Sequence, residues 1–137
     1  MLEDPLKCAC LGLRAATRRV TRRYDEALAP CGLTTSQFSM LTFLSAKPSW
    51  GVAELADRLD MDVSTATRNL KPLAAAGYVT IRAGAQDARR REVRLSAKGS
   101  RVLERGSALW RRAQRETVAA LGEPRLSELL TTLAELQ

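Results

Sequence analysis

Ser64, Thr65, Thr67, Arg68 and Lys71 put hydroxyl, guanidinium and ammonium donors within about two helical turns, and Arg89, Arg90 and Arg91 follow as an unbroken cationic run. Such groups recognise anions rather than break bonds. Hydroxyls bond base edges or phosphates, and a guanidinium reaches guanine bidentately, a contact that discriminates by about 1–3 kcal/mol. Clustered arginines neutralise phosphates or enter a narrow minor groove. The chain has no histidine, so the usual general base, metal ligand and pH switch are absent. No phosphate-cradling glycine loop and no nucleophile with an evident base stands in for them. The expectation is a binding protein, not an enzyme, with no metal and no cofactor. The remaining reactive atoms are the thiols of Cys8, Cys10 and Cys31.

The elements that must position the donors are legible around them. Val52, Leu55, Ala56 and Leu59 repeat at helical spacing, and Asp60-Met61-Asp62 breaks the pattern. Val63, Ala66, Leu70 and Leu73 then resume it as far as Gly77, which gives a helix-turn-helix. With those four residues facing inward, Ser64, Thr65, Thr67, Arg68 and Lys71 face out, and Asp62 is the expected N-cap. Pro72 predicts a kink or local loosening. Val79 and Ile81 alternate with polar neighbours, Gly84 to Arg90 is turn-like and charged, and Val93 and Leu95 alternate again. That is a β-hairpin, a basic wing. Asp87 has the wrong charge for DNA and is expected to pair with a nearby arginine, bracing the hairpin. A solvated helix face and a solvated loop are the bland alternatives for these two stretches.

Long apolar helices flank this unit. Leu6, Cys10, Leu13, Val20, Tyr24 and Leu28 mark the first, ending near Pro30-Cys31-Gly32. Thr34 and Gln37 form a capping box, with Leu33 and Phe38 as its staple. Phe38, Leu41 and Leu44 are the buried face of that second helix, and Lys47-Pro48-Ser49 stops it. After an N-cap at Ser96 come Val102, Leu103, Leu109, Trp110, Val118 and Leu121, then Gly122, then Pro124 opening a helix of Leu126, Leu129, Leu130, Leu133 and Leu136.

The 137 residues make one domain, and aromatics at 4% favour packed helices over a sheet sandwich. The net charge of +7 favours a polyanionic partner. No stretch approaches the roughly 20 apolar residues of a membrane span. Met1-Leu2-Glu3-Asp4-Pro5 is acidic where a secretory signal is basic, so a cytoplasmic protein is expected. An odd number of cysteines argues against a disulfide framework. The terminal helices offer more apolar surface than one subunit covers, which predicts a homodimer. Two-fold symmetry sets the recognition helices about one DNA turn, roughly 34 Å, apart on a palindrome.

The chain resembles the MarR family of winged helix-turn-helix transcriptional regulators over essentially its full length. Asp87-Ala88-Arg89-Arg90-Arg91-Glu92-Val93-Arg94-Leu95-Ser96-Ala97-Lys98-Gly99 carries the family's wing pattern, D-x-R-x-x-x-V-x-L-[ST]-x-x-G. Glu54-Leu55-Ala56, Leu70, Leu73 and Gly77-Tyr78-Val79 match the preceding helices. The resemblance implies a mainly α fold with a small β-hairpin wing, in which residues 1–33 and 97–137 form the dimerisation helices and 34–96 bind DNA. It implies a homodimeric repressor on double-stranded DNA with a palindromic operator, released by a small molecule or an oxidant. It assigns the minor groove to Arg89 and wing bracing to Asp87. The rival from another class is a nonspecific nucleic-acid-binding or architectural protein, which the same charge permits.

Against the peroxide-sensing OhrR branch of that family, Cys10 falls at the reactive cysteine, fourteen residues before a shared tyrosine, here Tyr24. Arg14, Thr35 and Phe38 stand where that branch has tyrosines. Cys10 is then either redox-active or a small buried apolar residue. Cys8 lies on another helix face, and Cys31 about 30 Å away, so bridges within one chain are not expected. Arg14, Arg18, Arg19, Arg22 and Arg23 form a stripe. It is expected to be solvated or paired with Asp25 and Glu26, with DNA or an anionic effector as the alternatives.

Overall fold

The computed structural model describes residues 2–136. Met1 and Gln137, the outermost residues of the two dimerisation segments read from the sequence, lie outside them. A 3-10 turn at Pro5–Lys7 precedes α1 (Ala9–Leu28), and a second at Ala29–Cys31 leads into α2 (Thr35–Leu44). Then come β1 (Trp50–Gly51), α3 (Val52–Arg58), α4 (Val63–Ala75), β2 (Val79–Ala83) and β3 (Arg91–Leu95). Two helices, α5 (Ala97–Leu121) and α6 (Glu123–Ala134), complete the chain.

The predicted caps are in place. Thr34 Oγ1 accepts from Gln37 N at 3.2 Å while Gln37 Oε1 accepts from Thr34 N at 3.0 Å, which satisfies two orphan donors reciprocally. The Asp25 carboxylate accepts from both the backbone N–H and the hydroxyl of Thr35, at 2.7 and 2.6 Å. It therefore ties α1 to the start of α2, and among the described residues neither Asp25 nor Glu26 is in an ion pair with an arginine, so of the two expectations for the arginine stripe the paired one is not met.

The break in the helix-turn-helix is a Schellman motif. Met61 N donates to Ala56 O at 3.0 Å and Asp60 N to Asp57 O at 3.1 Å, with Asp60 at φ 51°, in the left-handed region. The end of α4 repeats the motif on Gly77 (φ 76°), where Tyr78 N reaches Leu73 O at 2.9 Å. Between the two, α4 continues through Pro72 to Ala75.

Beside the hairpin lies a third strand that the sequence pattern did not disclose. β1 pairs antiparallel with β3, Trp50 opposite Val93, so the sheet order is β1-β3-β2. β2 and β3 pair in the register Val79 with Leu95, Ile81 with Val93 and Ala83 with Arg91. A two-residue strand has no periodicity to read. The core sits between the sheet and the helices, with Leu28, Met40, Leu41, Leu44, Leu55, Leu70, Leu73, Val93 and Val102 fully buried. Met40 joins the predicted face of α2 because that helix is clasped by α1, α3, α4, α5 and β3.

The wing is anchored to α5 at a close approach. Ser96 Oγ accepts from Gly99 N at 2.9 Å and donates to Gly77 O at 2.5 Å, while Ser96 N donates to Tyr78 O at 2.9 Å. By contrast α6, which packs on α5, buries none of its residues within the chain.

Candidate nucleic-acid interface

Asp62 starts the recognition helix. Its carboxylate accepts from Thr65 N at 2.6 Å, and this backbone bond first, with the Thr65 hydroxyl second, holds the Asp62 pKa below its ordinary 3.8. A depressed folded pKa means stability that is present above the ordinary value and lost as pH falls through the folded one. Acidification below about pH 4 should therefore speed hydrogen exchange at the Thr65 amide. Asp62→Asn, which keeps a capping oxygen, should remove that pH dependence, and an unchanged profile in the variant would contradict the assignment.

Ala66, Leu70 and Leu73 are buried as expected. Val63 is not: it is 49% exposed, because the first residue of the helix lies at the rim of the packed face. Ser64, Arg68 and Lys71 are exposed on the side of α4 away from the core, with Thr65 and Thr67 half-buried on its flanks. Two of these side chains are held locally. Arg68 Nη2 donates to Thr65 Oγ1 at 3.2 Å, and Thr67 Oγ1 donates to Val63 O at 2.8 Å, leaving the Thr67 hydroxyl as an acceptor.

In the wing, Arg89 and Arg90 sit in the loop and Arg91 opens β3, all exposed. Asp87 does not pair with a guanidinium. Its carboxylate accepts from the backbone N–H of Arg89 at 3.0 Å, its carbonyl accepts from Arg90 N at 3.0 Å, and Gly84 N closes the loop on Arg90 O at 2.6 Å. A short polar side chain taking a backbone donor two residues on is a local turn device, so the spacing from Asp87 to Arg89 serves the loop's shape.

An open cleft of about 800 Å³ joins the two stretches, lined by Val63 and Thr67 from α4, Arg89, Arg90 and Arg91 from the wing, and Glu54 and Glu92. Ser64, Thr65, Arg68 and Lys71 lie outside it. Both carboxylates are engaged. Glu54 pairs with Lys47 at 2.5 Å, which lowers its pKa, and Glu92 accepts from Ser49 at 3.2 Å with Arg94 at 3.9 Å. Among the described residues no ion pair involves Arg89, Arg90, Arg91, Arg68 or Lys71. The surface therefore carries unneutralised cations beside a helix N-terminus, the arrangement that attracts phosphate.

A model of the MarR family matches residues 32–90, the span from just after the second 3-10 turn through the wing loop. The HTH-type transcriptional repressor Rv2887 of Mycobacterium tuberculosis is 32% identical over 112 residues, 82% of this chain and 81% of that protein. The chain belongs to the MarR family. This MarR-family chain is a transcriptional regulator by type and not one of a family of enzymes. Among solved structures it is similar to the M. tuberculosis transcriptional regulator MosR in complex with DNA, with 40% identity, TM-score 0.84 and coverage of 93% and 94% of the two chains. The repressor CouR, bound to a 23-mer DNA duplex, is 26% identical with TM-score 0.87 over 99% and 96%.

The three thiols are free. Cys8 and Cys10 are exposed at the start of α1, so the alternative of Cys10 as a buried apolar residue is not met within one chain. Cys31, at the far end of α1, donates to Leu28 O at 3.1 Å. Among the described residues no cluster of Cys, Asp and Glu is arranged to hold a metal ion, and no helix is long and apolar enough to cross a membrane.

Proposed function

We propose that this chain is a homodimeric repressor that binds a palindromic site in double-stranded DNA. The observation that carries the reading is the cleft in which the first turn of α4 meets the three wing arginines. Ser64, Thr65, Thr67, Arg68 and Lys71 address the major groove, Arg89, Arg90 and Arg91 the adjoining minor groove and phosphates, and Asp87 holds the wing loop in shape. Residues 34–96 are the reader, and 1–33 with 97–137 the dimerisation part. Support for the latter comes from Leu6 (85% exposed), Leu11, Leu130 (57% exposed) and Leu136, apolar surface that a second copy would cover. Repression follows the relatives' descriptions, and work at chromosomal promoters puts the protein in the cytoplasm. Selecting bound duplexes from a random pool tests this: enrichment of an inverted repeat supports it, and recovery of unrelated sequences favours a nonspecific architectural binder.

Release is assigned to oxidation at Cys10, with Cys8 and Cys31 as accessory thiols. The support is the exposure of the free Cys10 thiol at the start of α1. Peroxide should release DNA from the parent protein and not from Cys10→Ser. Equal release from both, or from neither, would instead point to a small-molecule effector.

A further inference from the structure

We propose that Val63 is a base-reading residue, taking the C5 methyl of one thymine in the major groove at the wing-proximal edge of each half-site. The proposal rests on the DNA-binding reading above and extends it to a residue that sequence periodicity assigns to the core. Val63 is the first residue of α4 and half exposed, while the other apolar members of its helical pattern are buried. It does not serve the helix itself, since a β-branched residue is a weaker helix former than alanine.

Its surroundings give the exposure a use. Val63 and Thr67, one turn apart, share the cleft with Arg89, Arg90 and Arg91, and the Thr67 hydroxyl is turned onto the Val63 carbonyl. Together with Val52 and Ala53, the two residues give the cleft an apolar part beside the wing arginines and the engaged Glu54 and Glu92. A phosphate offers nothing to a valine, and a sugar contact would carry no sequence information. Of the groups exposed in the major groove only the thymine C5 methyl offers an apolar contact, and base contacts come from the N-terminal residues of a recognition helix.

The test uses the full-length protein and the duplex it selects. Each thymine is replaced singly by deoxyuridine, which deletes only the C5 methyl, and dissociation constants are measured for the parent and Val63→Ala. The expected result is one thymine in each half-site whose replacement weakens the parent roughly fourfold, the worth of one buried methyl, and leaves Val63→Ala unaffected. Because Val63 is half exposed, Val63→Ala should keep the parent's thermal midpoint. A selected duplex in which no thymine methyl matters, or in which the sensitivity persists in Val63→Ala, overturns this proposal alone. Failure to select any duplex overturns the DNA-binding reading as well.

Discussion

Gly99→Ala is expected to lower stability by about 3 kcal/mol or more, a large share of the 5–15 kcal/mol that holds a domain of this kind folded. A Cβ at position 99 would collide with the carbonyl oxygen of Tyr78 and lie 2.8 Å from Leu95 Cδ1 and 2.9 Å from Tyr78 C. Two of these are backbone atoms with nowhere to go. Tyr78 O is fixed by Ser96 N, and the preceding Gly77 O by the Ser96 hydroxyl. Relief of the clash would have to separate the start of α5 from β2, and with it the wing from the long helix. Denaturant midpoints measure the loss. Gly12→Ala is the control: it adds a methyl to α1 with nothing within 4 Å, so it should be neutral or stabilise by up to about 1 kcal/mol. Equal midpoints for the two variants would contradict the packing argument.

The second large effect separates the two halves of the interface. Arg68→Ala should weaken binding to the selected duplex by about 1–3 kcal/mol, five- to 150-fold, and relax preference at one base pair. Its affinity for unrelated DNA should change much less. Arg89→Ala should weaken selected and unrelated duplexes alike and reduce the steepness of the salt dependence by about one counterion. Titrations at several salt concentrations distinguish them, and a reversal of the two patterns would overturn the assignment of α4 to bases and the wing to phosphates. Asp87→Ala should imitate Arg89→Ala in part, since it deletes the acceptor that holds the Arg89 amide.

The parts of this fold that were legible in the sequence are those set by local chemistry. The Thr34–Gln37 box, the caps at Asp62 and Ser96, the Gly77 terminus and the alternation of Val79, Ile81, Val93 and Leu95 depend on neighbours within a few residues. What was not legible depends on partners far along the chain or on geometry at an element's edge. β1 exists only because β3, some forty residues later, offers Val93 and Glu92 to Trp50 and Gly51. Asp25 looks like a partner for the neighbouring arginines, but the start of α2 lies closer. Asp87 was expected to meet a guanidinium and meets a backbone amide. Val63 keeps the helical period yet lies where the packed face ends, a distinction that periodicity does not contain.

The site shows the same division. The donors on α4 and the wing were named from residue type and spacing, whereas the cleft between them, and the engagement of Glu54 and Glu92 within it, required the fold. With those carboxylates tied to Lys47, Ser49 and Arg94, the wing arginines stay available to an external anion.

The affinity ratio between the selected duplex and a scrambled duplex of equal length, at one fixed salt concentration near 0.15 M, separates sequence reading from attraction to charge alone. A sequence-specific regulator with this interface should prefer its site by about 10³-fold or more. A ratio near one would mean that the helix and the wing recognise only the charge of the backbone, and would contradict the account.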